Sequence, residues 1–472
     1  MNHRKSFVMW FGPRPEQGCL DEFIYRDLSL HFLEGLPSKG DLSRSAGAVV
    51  VFNKEKLGDF QSIIKKLAEC AEDYSLITVV IGQDEDFPQM TGIFESLNWF
   101  PTRRLTSPQN HEASEIIARH DPQEAANLEL QIELAKELDP LDEISVLLLQ
   151  RAFWDCKKIE LLPLFGGRTA KVFQVDVLFK ERGYIHHPLP FFAKIGDSEK
   201  IQCEHENFKK YVEHYIPFHL RPYLDSRRSI FGTKAGIIVG CFVEKSEPLR
   251  AVIRRGEAAS VIPSIFLESL ANWREQATPE AGRFSLDVFT PVKISPNRLR
   301  SAQQLGLEKT PDELLFVLNS LRNTAFFCGI VHGDLHDRNI RVRKNDAILI
   351  DFAKVKSGPI VADCAALEIS LIFEHDEEDN LDLWKEFVTK YYSLDACLQM
   401  PAGDNSWQFA VVDEMRKIVN AKKACDFEYP IALAHYLLNR ATYPSESDGD
   451  EVRKTHALLI AEKLIKDLEV RS

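Results

Sequence analysis

No apolar run in this chain approaches the roughly 20 residues that a membrane-spanning helix needs. The N-terminal run Ser6-Phe-Val-Met-Trp-Phe-Gly12, set between Lys5 and Pro13, is too short for a secretory signal core. The sequence thus predicts a protein without membrane attachment, located in the cytoplasm. Paired cysteines are also missing. Nine are spread singly from Cys19 to Cys425 with no CxxC, a pattern that reads as reduced thiols and not as a disulfide framework. A basic excess is absent too: 71 acidic residues face 58 basic ones, for a formal charge of −13. Duplex binding draws most of its affinity from a basic face, so no nucleic-acid partner is expected. Glycine and proline, 23 each, follow no tripeptide period, which excludes a collagen-like chain.

What the sequence does contain is ample apolar material, 44% hydrophobic against 27% charged, spread over 472 residues. That suffices for two or three domains. Residues 1–122 alternate strand-like runs (Ser6–Gly12, Ala46–Phe52, Leu76–Gly82) with helical periodicity. Leu57, Phe60, Ile63, Ile64, Leu67 and Cys70 recur at three- and four-residue spacing between the last two runs. Strand–helix–strand order implies parallel pairing, hence a small α/β domain of receiver-like or flavodoxin-like type. Trp10-Phe-Gly12 lacks the acidic pair of a phosphoacceptor receiver, and neither a Gly-x-Gly-x-x-Gly nor a Walker lysine follows. The domain therefore reads as a binding or assembly module with a protein partner. Residues 123–158, rich in Glu, Leu, Ala and Gln and broken by Asp139-Pro140, predict a helical linker. Strand patterns at Val172–Leu178, Phe191–Ile195 and Ile237–Glu244 mark a β-rich segment over 159–245, and helical patterns dominate 246–472. Ser445–Glu451 reads as an acidic loop.

The chemistry concentrates in Ile330-Val-His-Gly-Asp-Leu-His-Asp-Arg-Asn-Ile340 and Ile348-Leu-Ile-Asp-Phe352. Asp334 and Asn339 lie five positions apart, and Asp351 ends an apolar strand twelve residues after Asn339. Two antiparallel strands with such polar ends bring an Asp, an Asn and a second Asp to one spot. Carboxylate and amide oxygens are the hard ligands Mg²⁺ takes beside substrate phosphates. A separate carboxylate can accept the proton of an attacking hydroxyl.

These residues closely resemble the catalytic and metal-binding segments of the aminoglycoside phosphotransferase and choline kinase families. The matching positions are His332-Gly-Asp334, Asn339 and Ile350-Asp351-Phe352. The resemblance implies an α+β bilobal protein-kinase-like fold, with a β-rich N-lobe (159–245) and a helical C-lobe (246–472). It also implies ATP and Mg²⁺ as cofactors, Asp334 as catalytic base, and Asn339 and Asp351 as metal ligands. Asp363-Cys-Ala-Ala-Leu-Glu368 resembles the helix start that braces the catalytic loop in these families. By the same resemblance Gly166 and Gly167 form the phosphate-covering turn, Lys194 pairs with ATP phosphates, and Glu204 (with Glu206 as competitor) is the partner of that lysine. Ile237–Glu244 would lead to the adenine-binding hinge. The His-Gly-Asp form and the missing Ala-Pro-Glu segment depart from regulated protein kinases. Within kinase-like families, the run from Leu349 to Glu368 is similar to bacterial ternary-complex-associated kinase-like domains, which are tied to conflict or defence systems.

The implied activity is phosphoryl transfer to a hydroxyl of a small molecule or protein. A nucleotide-binding pseudokinase signalling through residues 1–122, and a protein nucleotidyltransferase, fit the same motif. His336 and Asp337 read as local structural polars, and the acidic run Glu374–Asp379 as a solvated loop.

Overall fold

The computed structural model describes residues 7–71, 73–119, 125–164, 170–179, 190–232, 234–241, 243, 245–281, 294–321, 324–374, 380–403 and 405–471. The chain divides into two compact units, residues 1–203 with 223–242, and residues 204–222 with 243–472.

The first unit opens with β1 (Phe7–Phe11), α1 (Gln17–Tyr25), β2 (Ser29–Phe32), α2 (Lys39–Arg44), β3 (Ser45–Val51), α3 (Leu57–Cys70), β4 (Ile77–Gly82), α4 (Phe87–Ser96), β5 (Arg103–Thr106) and α5 (Glu112–Arg119). Its five strands are all parallel, in the order β2-β1-β3-β4-β5. Both faces of the central strands are buried, which is why β1, β3 and β4 are mostly apolar, with Ser45 and Thr78 as the polar exceptions. Met9, Phe11 and Val50 pack with Phe60, Ile64 and Leu67 of α3 on one face. Val8, Trp10 and Val49 pack with Phe23 of α1 and Ile117 of α5 on the other.

The same unit continues with β6 (Gln131–Leu134), α6 (Glu143–Ala152), β7 (Cys156–Pro163), β8 (Lys171–Phe179), β9 (Phe191–Asp197), α7 (Ser198–Asn207), whose last four residues belong to the second unit, β10 (Ile230–Phe231) and β11 (Ala235–Cys241). These strands form a six-stranded sheet in the order β10-β11-β9-β8-β7-β6. The expectation of a helical linker over 123–158 needs correcting. Among the described residues there only α6 is helical, and Gln131-Ile-Glu-Leu134 is a strand paired parallel with β7. Asp139-Pro140 separates the two because the residue before a proline avoids helical backbone. The two sheets are tied by Arg151, whose buried guanidinium reaches the carbonyl of Asp73 and the hydroxyl of Ser75. Asp73 also packs on Gly232, where an added Cβ would overlap its Oδ1.

In the second unit the strands are β12 (Glu247–Pro248), β13 (Thr278–Ala281), β14 (Ala325–Val331), β15 (Ile340–Arg343), β16 (Asp346–Leu349) and β17 (Lys356–Pro359). They form two three-stranded sheets, β12-β15-β16 and β13-β14-β17. Its helices are α8 (Leu249–Val252), α9 (Ala258–Pro263), α10 (Ala271–Glu275), α11 (Pro296–Gln304), α12 (Pro311–Ser320), α13 (Val361–Phe373), α14 (Leu381–Tyr391), α15 (Leu394–Leu398), α16 (Trp407–Ala421), α17 (Glu428–Arg440) and α18 (Asp448–Arg471). α13 is buried along nearly its whole length and packs on α16 and α17. α18 begins inside the stretch read as an acidic loop. Its Asp448, Asp450 and Glu451 occupy the first turn, where carboxylates suit the helix dipole, and Glu451 pairs with the buried Arg298 at 2.6 Å.

Candidate active site

The His332–Asn339 loop leaves the end of β14, the central strand of its sheet. His332 is fully buried. Its backbone N–H donates to Asp363 Oδ2 at 2.7 Å, and the next N–H, that of Gly333, donates to Asp363 Oδ1 at 3.1 Å. Burial pushes the Asp363 carboxyl up, against the opposing pull of His332 and these two N–H groups. The His332 ring donates from Nε2 to the carbonyl of Ile350 at 3.1 Å. It therefore fixes the start of the loop to the residue before Asp351. Gly333 has φ +74°, and a Cβ there would run into the carbonyl oxygen of Lys354. Only glycine is accommodated without strain at this position.

Asp334 follows, half-exposed, with Lys354 Nζ 3.0 Å from its Oδ2. Its own carbonyl accepts Asn339 Nδ2 at 2.9 Å, which fixes the Asn339 amide and leaves Oδ1 as the end able to meet a cation. Antiparallel pairing of β15 with β16 sets Ile340 opposite Leu349, so Asn339 and Ile350 lie side by side. The Ile350 N–H donates to the Asn339 carbonyl at 2.9 Å. Asp351 comes next, in the left-handed region with φ 64°, a conformation held by what flanks it. Phe352 is buried against His332 and Phe208, with ring centroids 5.3 and 5.8 Å away. Asn207 Nδ2 donates to the carbonyls of Phe352 and Ala353 at 3.2 and 3.1 Å.

Hydrogen bonds thus link Asn339 to Asp334 and, through its carbonyl, to Ile350, the residue before Asp351. Among the described residues no group of three or more His, Cys, Asp or Glu is gathered for a metal. One amide and one carboxylate fit a Mg²⁺ that takes its remaining ligands from water and phosphates, not an all-protein cage. Lys194 lies on β9, paired with Val172 and Ile238 on its two sides. Glu204 is on the buried side of α7 and Glu206 on the exposed side, which separates the two competitors by environment. Gly166 and Gly167 lie outside the described residues.

Four contributors escaped the sequence reading. Lys354 sits three positions after Asp351, a spacing that could have flagged it. Asn207, Arg250 and Ser370 had no local signal. Arg250 Nε lies 2.8 Å from Asp337 Oδ2 and Ser370 Oγ donates to Asp337 Oδ1 at 2.8 Å. Burial alone would raise the Asp337 carboxyl; Arg250 and Ser370 together hold it below the usual carboxylate range. Burial likewise lowers the His336 imidazole.

Comparison with known proteins gives one family match: residues 266–388 match the phosphotransferase enzyme family. No curated protein matches the chain. Among solved structures, an amicoumacin kinase in complex with AMP-PNP, Ca²⁺ and Ami is 15% identical, covering 65% of this chain and 88% of that one, with a TM-score of 0.33. The choline kinase from Cryptosporidium parvum Iowa II is 13% identical over 66% of this chain and 91% of its own, TM-score 0.34. An aminoglycoside-3'-phosphotransferase of type VIII is 18% identical over 54% of this chain and 93% of its own, TM-score 0.31. Likenesses of that size carry no argument for this chain. The family match bears out the resemblance drawn from the motif residues: the segment that matches the phosphotransferase enzyme family, 266–388, holds the His332–Asn339 loop, Asp351 and Asp363.

Proposed function

We propose that this chain is an ATP- and Mg²⁺-dependent phosphotransferase that acts on a hydroxyl of a small molecule or protein. The observation that carries the reading is the fixed group of Asp334, Asn339 and Asp351 inside the family-matched segment. In this reading Asn339 Oδ1 and the Asp351 carboxylate hold the divalent cation, which supplies charge neutralisation on the nucleotide phosphates. Asp334 orients the acceptor hydroxyl and takes its proton. Lys354, at 3.0 Å, lies where positive charge can meet the transferred phosphoryl oxygens once the acceptor engages Asp334. Lys194, with Glu204 behind it as its ion-pair partner, and the glycines Gly166 and Gly167 are assigned to the nucleotide phosphates. Little covalent chemistry is asked of the protein; positioning and charge do most of it. The β2-β1-β3-β4-β5 order supports reading the N-terminal domain as a receiver-like or flavodoxin-like module.

The test is incubation of the purified protein with Mg²⁺ and ATP labelled separately on the γ-phosphate and on the adenosine. Release or transfer of the γ label alone, lost in Asp334→Ala while nucleotide still binds, is the expected outcome. Undiminished turnover in Asp334→Ala would sink the assignment. Adenosine label appearing on protein would instead mean nucleotidyl transfer. A second reading, a nucleotide-binding sensor, is favoured by the packing of the α/β module and the six-stranded sheet as one unit. It predicts tight binding with neither label moving.

A further inference from the structure

The loop bearing Asp334 is held along one helix at two points. At its start, Asp363 in the first turn of α13 receives the N–H groups of His332 and Gly333. Near its end, Asp337 meets the last turn of the same helix: its N–H donates to Ser370 Oγ at 3.3 Å, and that hydroxyl donates back to Asp337 Oδ1 at 2.8 Å. One hydroxyl is a weak tether, because it rotates and holds a single point.

Arg250 completes the second anchor. Its Nε–H meets Asp337 Oδ2 at 2.8 Å, while its two terminal nitrogens donate to the carbonyls of Ser370 at 2.9 Å and Leu371 at 3.1 Å. The Ser370 carbonyl already accepts the Glu374 N–H at 3.3 Å, and the guanidinium adds donors to it and to the Leu371 carbonyl in the last turn, where helical partners run out, so Arg250 reinforces the end of α13 and grips the loop at once. A planar fork with fixed donors can do this; the single ammonium of lysine cannot. The Arg250 and Asp337 side chains are only 16% and 7% exposed, so the tie is largely sheltered from water. Arg250 also lies two residues after β12, whose Glu247–Pro248 pair with Val342–Arg341 of β15, the strand that begins immediately after Asn339. One short segment, 247–250, therefore borders the chain on both sides of Asn339.

We propose that Arg250 is a positioning residue: acting through Asp337, it sets where Asn339 and Asp334 stand relative to each other. The proposal rests on the phosphotransferase reading for its kinetic consequence, and on geometry alone for the tie. The variants are Arg250→Met, Arg250→Lys, the near-isosteric Asp337→Asn, and the double variant Arg250→Met/Asp337→Asn, all in the full chain. The readouts are Mg²⁺-dependent ATP turnover and amide hydrogen exchange. Each single variant should lower kcat by about tenfold or more with KM for ATP within about twofold, since a misplaced loop loses orientation and not nucleotide affinity. Arg250→Lys should rescue little, and the double variant should lose no more than the worse single one. Exchange at residues 336–340 should rise while that of β14 stays protected. Unchanged kcat, full rescue by lysine, or additive losses would overturn the positioning role. A wild-type chain that turns over no ATP would overturn the phosphotransferase reading. In that case unchanged protection of residues 336–340 in Arg250→Met would overturn the tie as well, and raised exchange there would uphold it.

Discussion

Replacing Asp363 by alanine strips the partner from two neighbouring backbone donors, the N–H groups of His332 and Gly333. The His332 amide cannot turn to solvent, because His332 is 0% and Asp363 3% exposed, whereas the Gly333 amide is only partly sheltered. An orphaned buried donor costs about 1–3 kcal/mol, so the pair is worth about 2–6 kcal/mol. The missing carboxylate leaves room for about one water, which would recover part of this and places the expected loss in the range of ~2–4 kcal/mol. Asparagine keeps the volume and one acceptor oxygen but sets an NH2 against the second N–H, so about half of the loss should remain. The assay is urea unfolding of the full chain, read alongside amide exchange. With two units, two transitions are expected, and the loss should fall on the one reported by residues 243–472. Exchange at His332 and Gly333 should accelerate, and ATP turnover should fall because Asp334 follows them directly. A loss below ~1 kcal/mol with both amides still protected would refute the idea that Asp363 is what holds this loop.

Three more expectations follow from buried or paired groups. Burial pushes the Glu428 carboxyl up from 4.5 to about 7, although it accepts N–H bonds from Phe327 and Ala424. Its folded value exceeds its unfolded one, so its contribution is fully present below pH 4.5 and is lost as pH rises through about 7, amounting to roughly 3 kcal/mol at most. Glu428→Gln should remove that slope from the melting temperature between pH 5 and 8; identical slopes would refute it. Lys354→Met removes a pair whose side chains are 63% and 34% exposed. It should leave stability within about 1 kcal/mol while lowering ATP turnover, and a large stability loss would contradict the surface-pair reading. Arg151→Met leaves the Asp73 carbonyl and Ser75 hydroxyl without their buried donor. Its cost, about 2–4 kcal/mol, should appear in the unfolding of the first unit; a shift confined to the second would refute the tie between the two sheets.

What could be read from the sequence was what is local. β1, β3 and β4 announce themselves because both faces are covered and nearly every residue is apolar or small. The edge strands of that sheet do not: Ser29-Leu-His-Phe32 and Arg103-Arg-Leu-Thr106 are mostly exposed and carry no apolar run. β6 alternates over only four residues, and its Gln, Glu and Leu favour helix by composition, so pairing with β7 decides what propensity cannot. The Asp334, Asn339 and Asp351 group was legible because one hairpin carries most of it. The residues that hold it were not. Ser370 and Arg250 lie 33 and 87 positions from Asp337, and neither stands out from its neighbours until the chain folds.

The division of the chain also bears on how the molecule is made. The first unit cannot finish its six-stranded sheet until residues 230–241 have been synthesised, yet residues 204–222 emerge earlier and belong to the second unit. A nascent chain halted at residue 203 would hold β9 with β11 still missing, leaving β9 as a bare sheet edge. The emerging segment 204–222 must then wait for partners that lie after residue 242. The two units are thus interleaved in time as well as in sequence, and a cut after residue 242 releases the first unit only with residues 204–222 of the second still attached.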